Sequence, residues 1–174
     1  ANVEYTGAEA VDLVIAEGFR SAAIPTVEVC VSSSGRECRA KTQPNIVAVD
    51  SDHEGPLPDA LAAAAGGARF AYLLPNFQNP TGHVYTEARR AAVVAAAQDK
   101  RLPLLEDNPY GDLWFDAPPA PSLASRWPEG VIYLGSFSKV LAPGLRLGYI
   151  VASAVLDPKL LQAKQAADLH TPIF

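Results

Sequence analysis

The sequence predicts an α/β fold in which helices cover a largely parallel sheet. Short apolar runs that suit strands buried on both faces alternate along the chain with stretches of helical periodicity. Polar residues cluster directly after three of the predicted strands. In sheets of this kind, ligands bind outside the carboxyl ends of the strands, so the same clusters predict where a site lies.

Four short elements are predicted before residue 68: a helix at 8–18, strands at 27–32 and 46–50, and a helix at 58–65. Apolar side chains of the first helix fall on or near one side. The second helix has Pro58 near its first turn and ends at Gly66, which is the asymmetry that helices favour. The polar segment between the two strands is rich in serine, glycine, arginine and lysine, which predicts a loop.

The pattern sharpens after residue 68, where strands are predicted at 70–74, 102–105, 131–134 and 147–152, and helices at 86–100 and 158–168. The first of these strands is a continuous apolar run closed by Pro75, as expected for a strand buried on both faces. Thr86 offers a hydroxyl cap for the helix that follows. The order of strands and helices predicts a mostly parallel sheet.

Composition narrows the class of protein. The chain has 174 residues, which favours one domain, and 49% of them are hydrophobic, which fits a folded core. Lysine and arginine total 14 against 19 acids, so the net charge of −5 argues against a nucleic-acid partner held by a basic face. The sequence has no apolar run long enough to span a membrane and only two cysteines, which favours a cytoplasmic protein without a membrane partner. There is no methionine, which fits either removal of an initiator or excision from a longer chain.

Seven polar residues stand at or after the predicted strand ends: Asn79, Asp107, Tyr110, Ser136, Ser138, Lys139 and Arg146. A lysine amine forms a Schiff base with a carbonyl group. Hydroxyls and an arginine fork hold a phosphate, and a carboxylate opposite a pyridine nitrogen keeps that nitrogen protonated. An amide and a phenol can bond a ring hydroxyl. The set predicts a site for a phosphorylated carbonyl cofactor.

These residues also resemble a known family. The segments Asn-Pro-Thr-Gly at 79–82, Asp-Asn-Pro-Tyr at 107–110 and Ser-Phe-Ser-Lys at 136–139, followed by Arg146, resemble the fold-type-I aminotransferases that use pyridoxal 5′-phosphate. Their wider context resembles the 2-aminoadipate, kynurenine and branched-chain or aromatic aminotransferase branch. The resemblance implies a three-layer α/β/α large domain, here incomplete. It is strong over about 44–174, the implied cofactor-binding segment, and weak over 1–43.

The resemblance implies a role for each position. Lys139 forms the Schiff base and moves the substrate α-proton, and Asp107 pairs with the pyridine nitrogen. Asn79 and Tyr110 bond the ring hydroxyl. The phosphate is bound by Ser136, Ser138 and Arg146. The implied reaction moves an amino group between an α-amino acid and a 2-oxo acid.

The family is dimeric and carries a small C-terminal domain that this chain lacks, so the sequence resembles part of a large domain. We expect a homodimer in the full-length form and poor or no transamination by these 174 residues alone. Two alternatives stay open. One is the pyridoxal-phosphate-binding effector domain of a winged-helix transcription regulator, and the other is a decayed copy without catalytic activity.

Other motifs carry less weight. The residues at 136–139 also match the S-x-x-K of serine acylases, but the partner motifs of those enzymes are absent from the sequence. An acidic stretch that begins at Asp50 has Leu61 where a calcium loop requires an acid. The three histidines lack metal-ligand spacing, so no metal site is predicted.

Overall fold

The structure is a computed structural model, and it describes residues 26–31, 46–52, 55–79 and 81–168. The strands are β1 Thr26–Val31, β2 Ile46–Asp52, β3 Gly55–Pro56, β4 Phe70–Leu73, β5 Leu104–Asp107, β6 Val131–Ser136 and β7 Gly148–Val151. The α-helices are α1 Pro58–Ala64, α2 Glu87–Lys100, α3 Leu123–Arg126, α4 Phe137–Val140 and α5 Asp157–Ala167, with short 3-10 turns at Ala65–Gly67 and Pro143–Leu145. The described residues up to Ser153 form one compact unit, and residues 154–168, which include α5, belong to a second.

The seven strands form a single sheet in the order β3-β2-β1-β4-β5-β6-β7. The five inner strands, β2, β1, β4, β5 and β6, run parallel to one another. The two outer strands, β3 and β7, pair antiparallel with their neighbours. This arrangement confirms the predicted α/β class and its largely parallel sheet. Because β4, β5 and β6 are adjacent and parallel, their carboxyl ends meet at one edge of the sheet, where the candidate residues lie.

Apolar side chains of α1, α2 and the central strands form the core. Leu61, Leu73, Val93 and Leu104 are completely buried in it. The α2 helix begins as predicted at Thr86, whose Oγ1 accepts a hydrogen bond from the backbone N–H of Arg89 at 3.2 Å. Burial of this face ties α2 to β4 and β5, so the helix supports the two strands that lead into the site.

The boundaries of two strands differ from the prediction. The strand predicted at 102–105 was expected to end at residue 105, whereas β5 runs to Asp107 with Glu106 completely buried inside it. The sequence pattern placed the boundary at the first charged residue, but the fold buries that charge. In the same way β6 extends to Ser136 instead of ending at residue 134. Asp107 and Ser136 are therefore the last residues of their strands, not the loop residues that the pattern indicated.

Some elements were missed because they are too short to show a period. These are β3, α3, α4 and the two 3-10 turns. The helix predicted at 8–18 lies outside the described residues, as does the whole of the loop predicted between the first two strands, at 32–45. The boundary predicted between 1–43 and 44–174 stays a prediction. Within the described ranges, no helix has both the length and the apolar character needed to cross a membrane.

Candidate functional site

Asn79 lies in a tight turn that follows β4. Gln78 organises this turn, because its Oε1 accepts hydrogen bonds from the backbone N–H and the hydroxyl of Thr81 at 3.1 and 2.6 Å. The backbone N–H of Gln78 donates to the carbonyl of His83 at 3.0 Å. Gly82 adopts φ of 74°, a left-handed conformation that glycine tolerates without a steric penalty. These bonds define the turn after β4 that carries Asn79, whose side chain is exposed.

Asp107 is the last residue of β5, and its carboxyl group is half-buried. The hydroxyl of Tyr72, on the neighbouring strand β4, donates a hydrogen bond to Oδ2 of Asp107. Burial raises the pKa of Asp107, and the hydrogen bond from Tyr72 partly offsets this by lowering it. The carboxyl group is thus fixed in direction, with one oxygen held by β4.

Lys139 lies in the short helix α4 that follows β6. Its Nζ lies 5.8 Å from the ring centroid of Tyr110, a distance at which a cation is attracted to an aromatic face. The lysine side chain is exposed, and in the part of the chain that the structure describes it forms no ion pair. The contact joins the loop after β5 to the helix after β6 and leaves the amine available to a ligand.

The two serines and the arginine predicted to bind phosphate lie around the end of β6. Ser136 caps α4, since its Oγ accepts a hydrogen bond from the backbone N–H of Ser138 at 3.2 Å. Gly148 on β7 pairs with Ser136. Arg146 lies two residues before Gly148, in the turn that leads into β7. Arg146 has φ of 51° and an exposed side chain. Its turn therefore faces the end of the strand that carries Ser136.

The structure brings some predicted residues into direct contact and others only to the same edge of the sheet. Lys139 contacts Tyr110, and Ser136 bonds Ser138. Asp107 pairs in register with Leu134 on β6, two residues before Ser136, so these two strand ends are neighbours. No hydrogen bond among the described residues joins Asn79 or Asp107 to Lys139. No group of histidine, cysteine and acidic side chains suited to a metal ion occurs among those residues either.

Several polar residues behind the site were assigned no role from the sequence: Tyr72, Asn76, Arg90, Glu106, Asn108 and Tyr133. They are joined to one another or to Asp107 by hydrogen bonds or charge. Two of them could have been found from the sequence, because Arg90 and Glu106 are charged residues within the otherwise apolar patterns of α2 and β5. Buried charges are rare unless they are paired, so such positions are worth testing for a role.

Glu106 is the buried acid of this group. Its Oε2 accepts a hydrogen bond from the backbone N–H of Ala124 at 2.9 Å, whereas its Oε1 has no partner among the described residues. Burial raises the pKa of Glu106, and the bond from Ala124 and the charges of Arg90 and Arg126 lower it only in part. The fold therefore favours the protonated carboxyl group more than the unfolded chain does.

This balance predicts a pH effect on stability. Because the pKa of Glu106 is higher in the folded state than in the unfolded state, its protonated form stabilises the fold. This stabilisation is fully present below the unfolded pKa of 4.5 and is lost as the pH rises through the folded pKa. Glu106→Gln keeps an acceptor for Ala124 and removes the charge. We expect the variant to gain about 1–2 kcal/mol in free energy of unfolding over wild type at pH 7, and less at pH 4. Denaturant unfolding at both pH values measures this, with the exposed Glu129→Gln as control, and equal pH dependence in wild type and Glu106→Gln would contradict it.

Tyr72 donates a hydrogen bond to the carboxyl group of Asp107 and so affects its titration. Because its hydroxyl lowers the pKa of Asp107, Tyr72→Phe is expected to raise that pKa further. A carbon-13 NMR titration of the Asp107 carboxyl group measures the change directly. The matched control is Tyr149→Phe on β7, two strands away from β5, which removes a hydroxyl of the same kind. An Asp107 titration that is the same in wild type and Tyr72→Phe would show that the hydroxyl does not tune the carboxylate.

With this geometry in place, the relatives of the chain can be compared. The sequence matches the family of class I and II aminotransferases over residues 47–172. The 2-aminoadipate transaminase of Thermus thermophilus is 44% identical over 137 residues, which cover 75% of this chain and 34% of that protein. Aromatic-amino-acid aminotransferase 1 of Thermococcus litoralis is 38% identical over 140 residues, covering 76% of this chain and 34% of that protein. The chain therefore spans about a third of the length of these relatives.

Regulators with a helix-turn-helix domain also match. The Bacillus subtilis regulator YisV is 38% identical over 103 residues, which cover 59% of this chain and 21% of that protein. The shared segment is therefore found both in enzymes and in proteins named as transcriptional regulators.

Solved structures agree with the sequence matches. LysN, the alpha-aminoadipate aminotransferase of Thermus thermophilus solved with N-(5′-phosphopyridoxyl)-L-leucine, superposes with a TM-score of 0.69 at 38% identity, over 86% of this chain and 41% of that one. The kynurenine aminotransferase of Pyrococcus horikoshii superposes with a TM-score of 0.70 at 29% identity, over 85% of this chain and 39% of that one. Sequence and fold thus lead to the same conclusion: the chain belongs to the class I and II aminotransferases and has part of their three-layer α/β/α fold.

Proposed function

We propose that the protein containing this chain is a pyridoxal-5′-phosphate-dependent aminotransferase, and that this segment supplies most of its cofactor contacts. The observation that carries the proposal is the position of Lys139. Its amine lies 5.8 Å above the Tyr110 ring, without an ion pair among the described residues, at the sheet edge where β5 ends in Asp107 and β6 in Ser136. A lysine at this edge of the sheet that forms no ion pair among the described residues suits a nucleophilic role.

The donor set fits the proposed cofactor. The half-buried Asp107, with one oxygen held by Tyr72, can face a protonated ring nitrogen with the other oxygen. Asn79 and Tyr110 provide an amide and a phenol for a ring hydroxyl. The Ser136 hydroxyl at the end of β6 and the Arg146 guanidinium in the turn before β7 offer a hydrogen bond and a charge to a phosphate.

Each group of the chain has a separate task in the proposed mechanism. When bound, the cofactor supplies a carbonyl carbon for amine exchange and a ring that accepts electrons from the substrate. Asp107 keeps the ring nitrogen protonated through its negative charge. Lys139 Nζ would hold the cofactor through its carbonyl group when no substrate is bound, and the same amine would move the substrate α-proton once the substrate has taken its place. Ser136, Ser138 and Arg146 hold the phosphate and keep the ring in place during both halves of the reaction.

The substrates, the assembly and the location are part of the same proposal. We infer an α-amino acid and a 2-oxo acid as substrates, because the names of the relatives include 2-aminoadipate, kynurenine and aromatic amino acids. We also infer a cytoplasmic homodimer for the full-length form, from the family resemblance and the low cysteine content.

The test uses the full-length protein that contains this sequence. A titration with pyridoxal 5′-phosphate is expected to give saturable binding with a visible absorption band, and borohydride should fix the cofactor on the peptide that contains Lys139. Addition of 2-aminoadipate or an aromatic amino acid should then bleach the band, with release of the matching 2-oxo acid. A protein that binds no pyridoxal phosphate, or that is labelled elsewhere than Lys139, would refute the proposal.

A second function is favoured by the matches to regulators such as YisV. In this case the same site binds the cofactor as an effector for an attached helix-turn-helix domain. Transfer of an amino group under multiple-turnover conditions supports the enzyme. Cofactor binding without turnover, together with cofactor-dependent binding of DNA, supports the regulator.

A further inference from the structure

Arg90 is a completely buried arginine on α2, on the side of the helix that faces the loop between β4 and α2. Its Nε donates to the carbonyl of Tyr85 at 3.1 Å, and its Nη2 donates to the carbonyl of Pro75 at 3.2 Å. Pro75 and Tyr85 also bond each other through their backbones at 2.9 Å. The guanidinium therefore closes both ends of the loop that carries Asn79.

The same guanidinium continues toward the next strand. Nη2 of Arg90 also donates to Oδ1 of Asn76, whose side chain is almost completely buried. Nδ2 of Asn76 then donates to Oδ1 of Asn108 at 2.8 Å, and Nδ2 of Asn108 donates to the hydroxyl of Tyr133 at 2.6 Å. We call Arg90, Asn76, Asn108 and Tyr133 the polar chain. It runs from α2 across the ends of β4 and β5 to β6.

The polar chain reaches the ends of β4 and β5 and the middle of β6, the three strands that lead into the candidate site. Asn76 lies three residues before Asn79, and Asn108 follows Asp107 directly. The side chain of Asn108 packs closely against Gly111, where a Cβ would overlap its side-chain amide. Glycine at that position lets the loop that contains Tyr110 close over Asn108.

The cost of this arrangement indicates that it does more than fill space. Burial lowers the pKa of Arg90, since the interior disfavours the charged form, and the nearby Glu106 offsets this only in part. Leucine or methionine would fill the same helical position without that penalty. What the guanidinium provides instead is a rigid fork that bonds several acceptors at fixed angles.

We propose that Arg90 is a positioning residue for the cofactor site, acting through Asn76 and Asn108 on the loops that carry Asn79 and Asp107. The inference rests on the proposed function, because it concerns how the same site is held. Arg90 does not touch the ligand in this arrangement. It sets the separation of two loops whose side chains do.

The experiment compares the affinity of the full-length protein for pyridoxal 5′-phosphate in four variants, by absorbance titration, with unfolding free energies measured in parallel. Arg90→Lys keeps the charge but loses the fork, and Asn76→Ala cuts the polar chain while leaving Arg90 in place. The third variant combines both changes. The fourth, Arg89→Lys, is the control, because that neighbouring arginine donates to the carbonyls of Gly55 and Pro56 on β3.

We expect Arg90→Lys and Asn76→Ala each to weaken binding by about tenfold, which is the effect of one buried hydrogen bond. The Kd of the double variant for pyridoxal 5′-phosphate should be at most about twofold higher than that of the single variant with the lower affinity, because both changes break the same connection. Arg89→Lys should bind as wild type does.

Two results would overturn the inference while leaving the proposed function intact. One is unchanged affinity in Arg90→Lys and Asn76→Ala, even with lower stability, which would make the polar chain purely structural. The other is a fully additive double variant, which would mean that Arg90 does not act through Asn76. Wild-type protein that fails to bind pyridoxal phosphate would refute the proposed function and this inference together. The titration of the wild type therefore tests the proposed function, and the titrations of the variants test the inference.

Discussion

Replacing Lys139 with alanine is expected to abolish amino-group transfer, with a loss in kcat of at least about 10⁴-fold. The variant loses the amine that we propose as both the nucleophile and the base for the α-proton, and no other lysine occurs between Lys100 and Lys159. Steady-state rates and the absorption spectrum measure the effect, since the visible band of the bound cofactor should disappear as well.

The control for this prediction is Lys100→Ala. Lys100 lies at the end of α2 in an exposed ion pair with Asp99, at a N–O distance of 2.8 Å, so its loss should leave the rate and the spectrum unchanged. Retention of more than a few per cent of wild-type activity in Lys139→Ala would rule out the assigned role. Rescue of that variant by added small amines would be additional support for a missing base.

Asp107→Asn is expected to lower kcat by about 10²- to 10³-fold. The amide has nearly the same shape as the carboxylate and still offers an oxygen to Tyr72, but it carries no charge to stabilise a protonated ring nitrogen. The loss should be mainly in the rate and less in the affinity for the cofactor, because the residues that we propose bind the phosphate, around Ser136, are unchanged. Single-turnover kinetics with an amino-acid substrate separate the two effects.

Asp112→Asn is the matched control, since this exposed acid lies five residues after Asp107, in the loop that follows β5. Wild-type rates in Asp112→Asn would show that the loss of a nearby negative charge does not by itself slow the reaction. Equal activity in Asp107→Asn and wild type would mean that the carboxylate at the end of β5 has no part in the chemistry, and the proposed orientation of the ring would fail with it.

The accuracy of the sequence interpretation differs between parts of the fold. The helix at α2 was predicted closely, since the Thr86 cap and the period of its apolar residues are local features. The end of β5 was misplaced, because a buried glutamate inside a strand contradicts the polarity rule on which the boundary rested. Short elements such as α4 had too few residues to show a period at all.

The candidate site shows the same division. The sequence indicated where candidate residues lie, because Lys139, Asp107 and Arg146 are reactive or charged groups at or near the termini of strands that can be inferred from apolar runs. The groups that hold the site were not indicated. Tyr72 and Arg90 are 35 and 14 residues from the partners that their side chains bond, Asp107 and Asn76, so local patterns contain no trace of those bonds.

The sequence by itself determined the α/β class, the largely parallel character of the sheet and the residue types that follow its central strands. Only the tertiary structure decided that Lys139 lies over Tyr110, that β5 buries Glu106, and that Arg90 connects two loops through Asn76. The physical reason is one of range. Periodicity and caps depend on neighbours within a few residues, whereas buried polar contacts depend on which distant segments the packing of the sheet brings together.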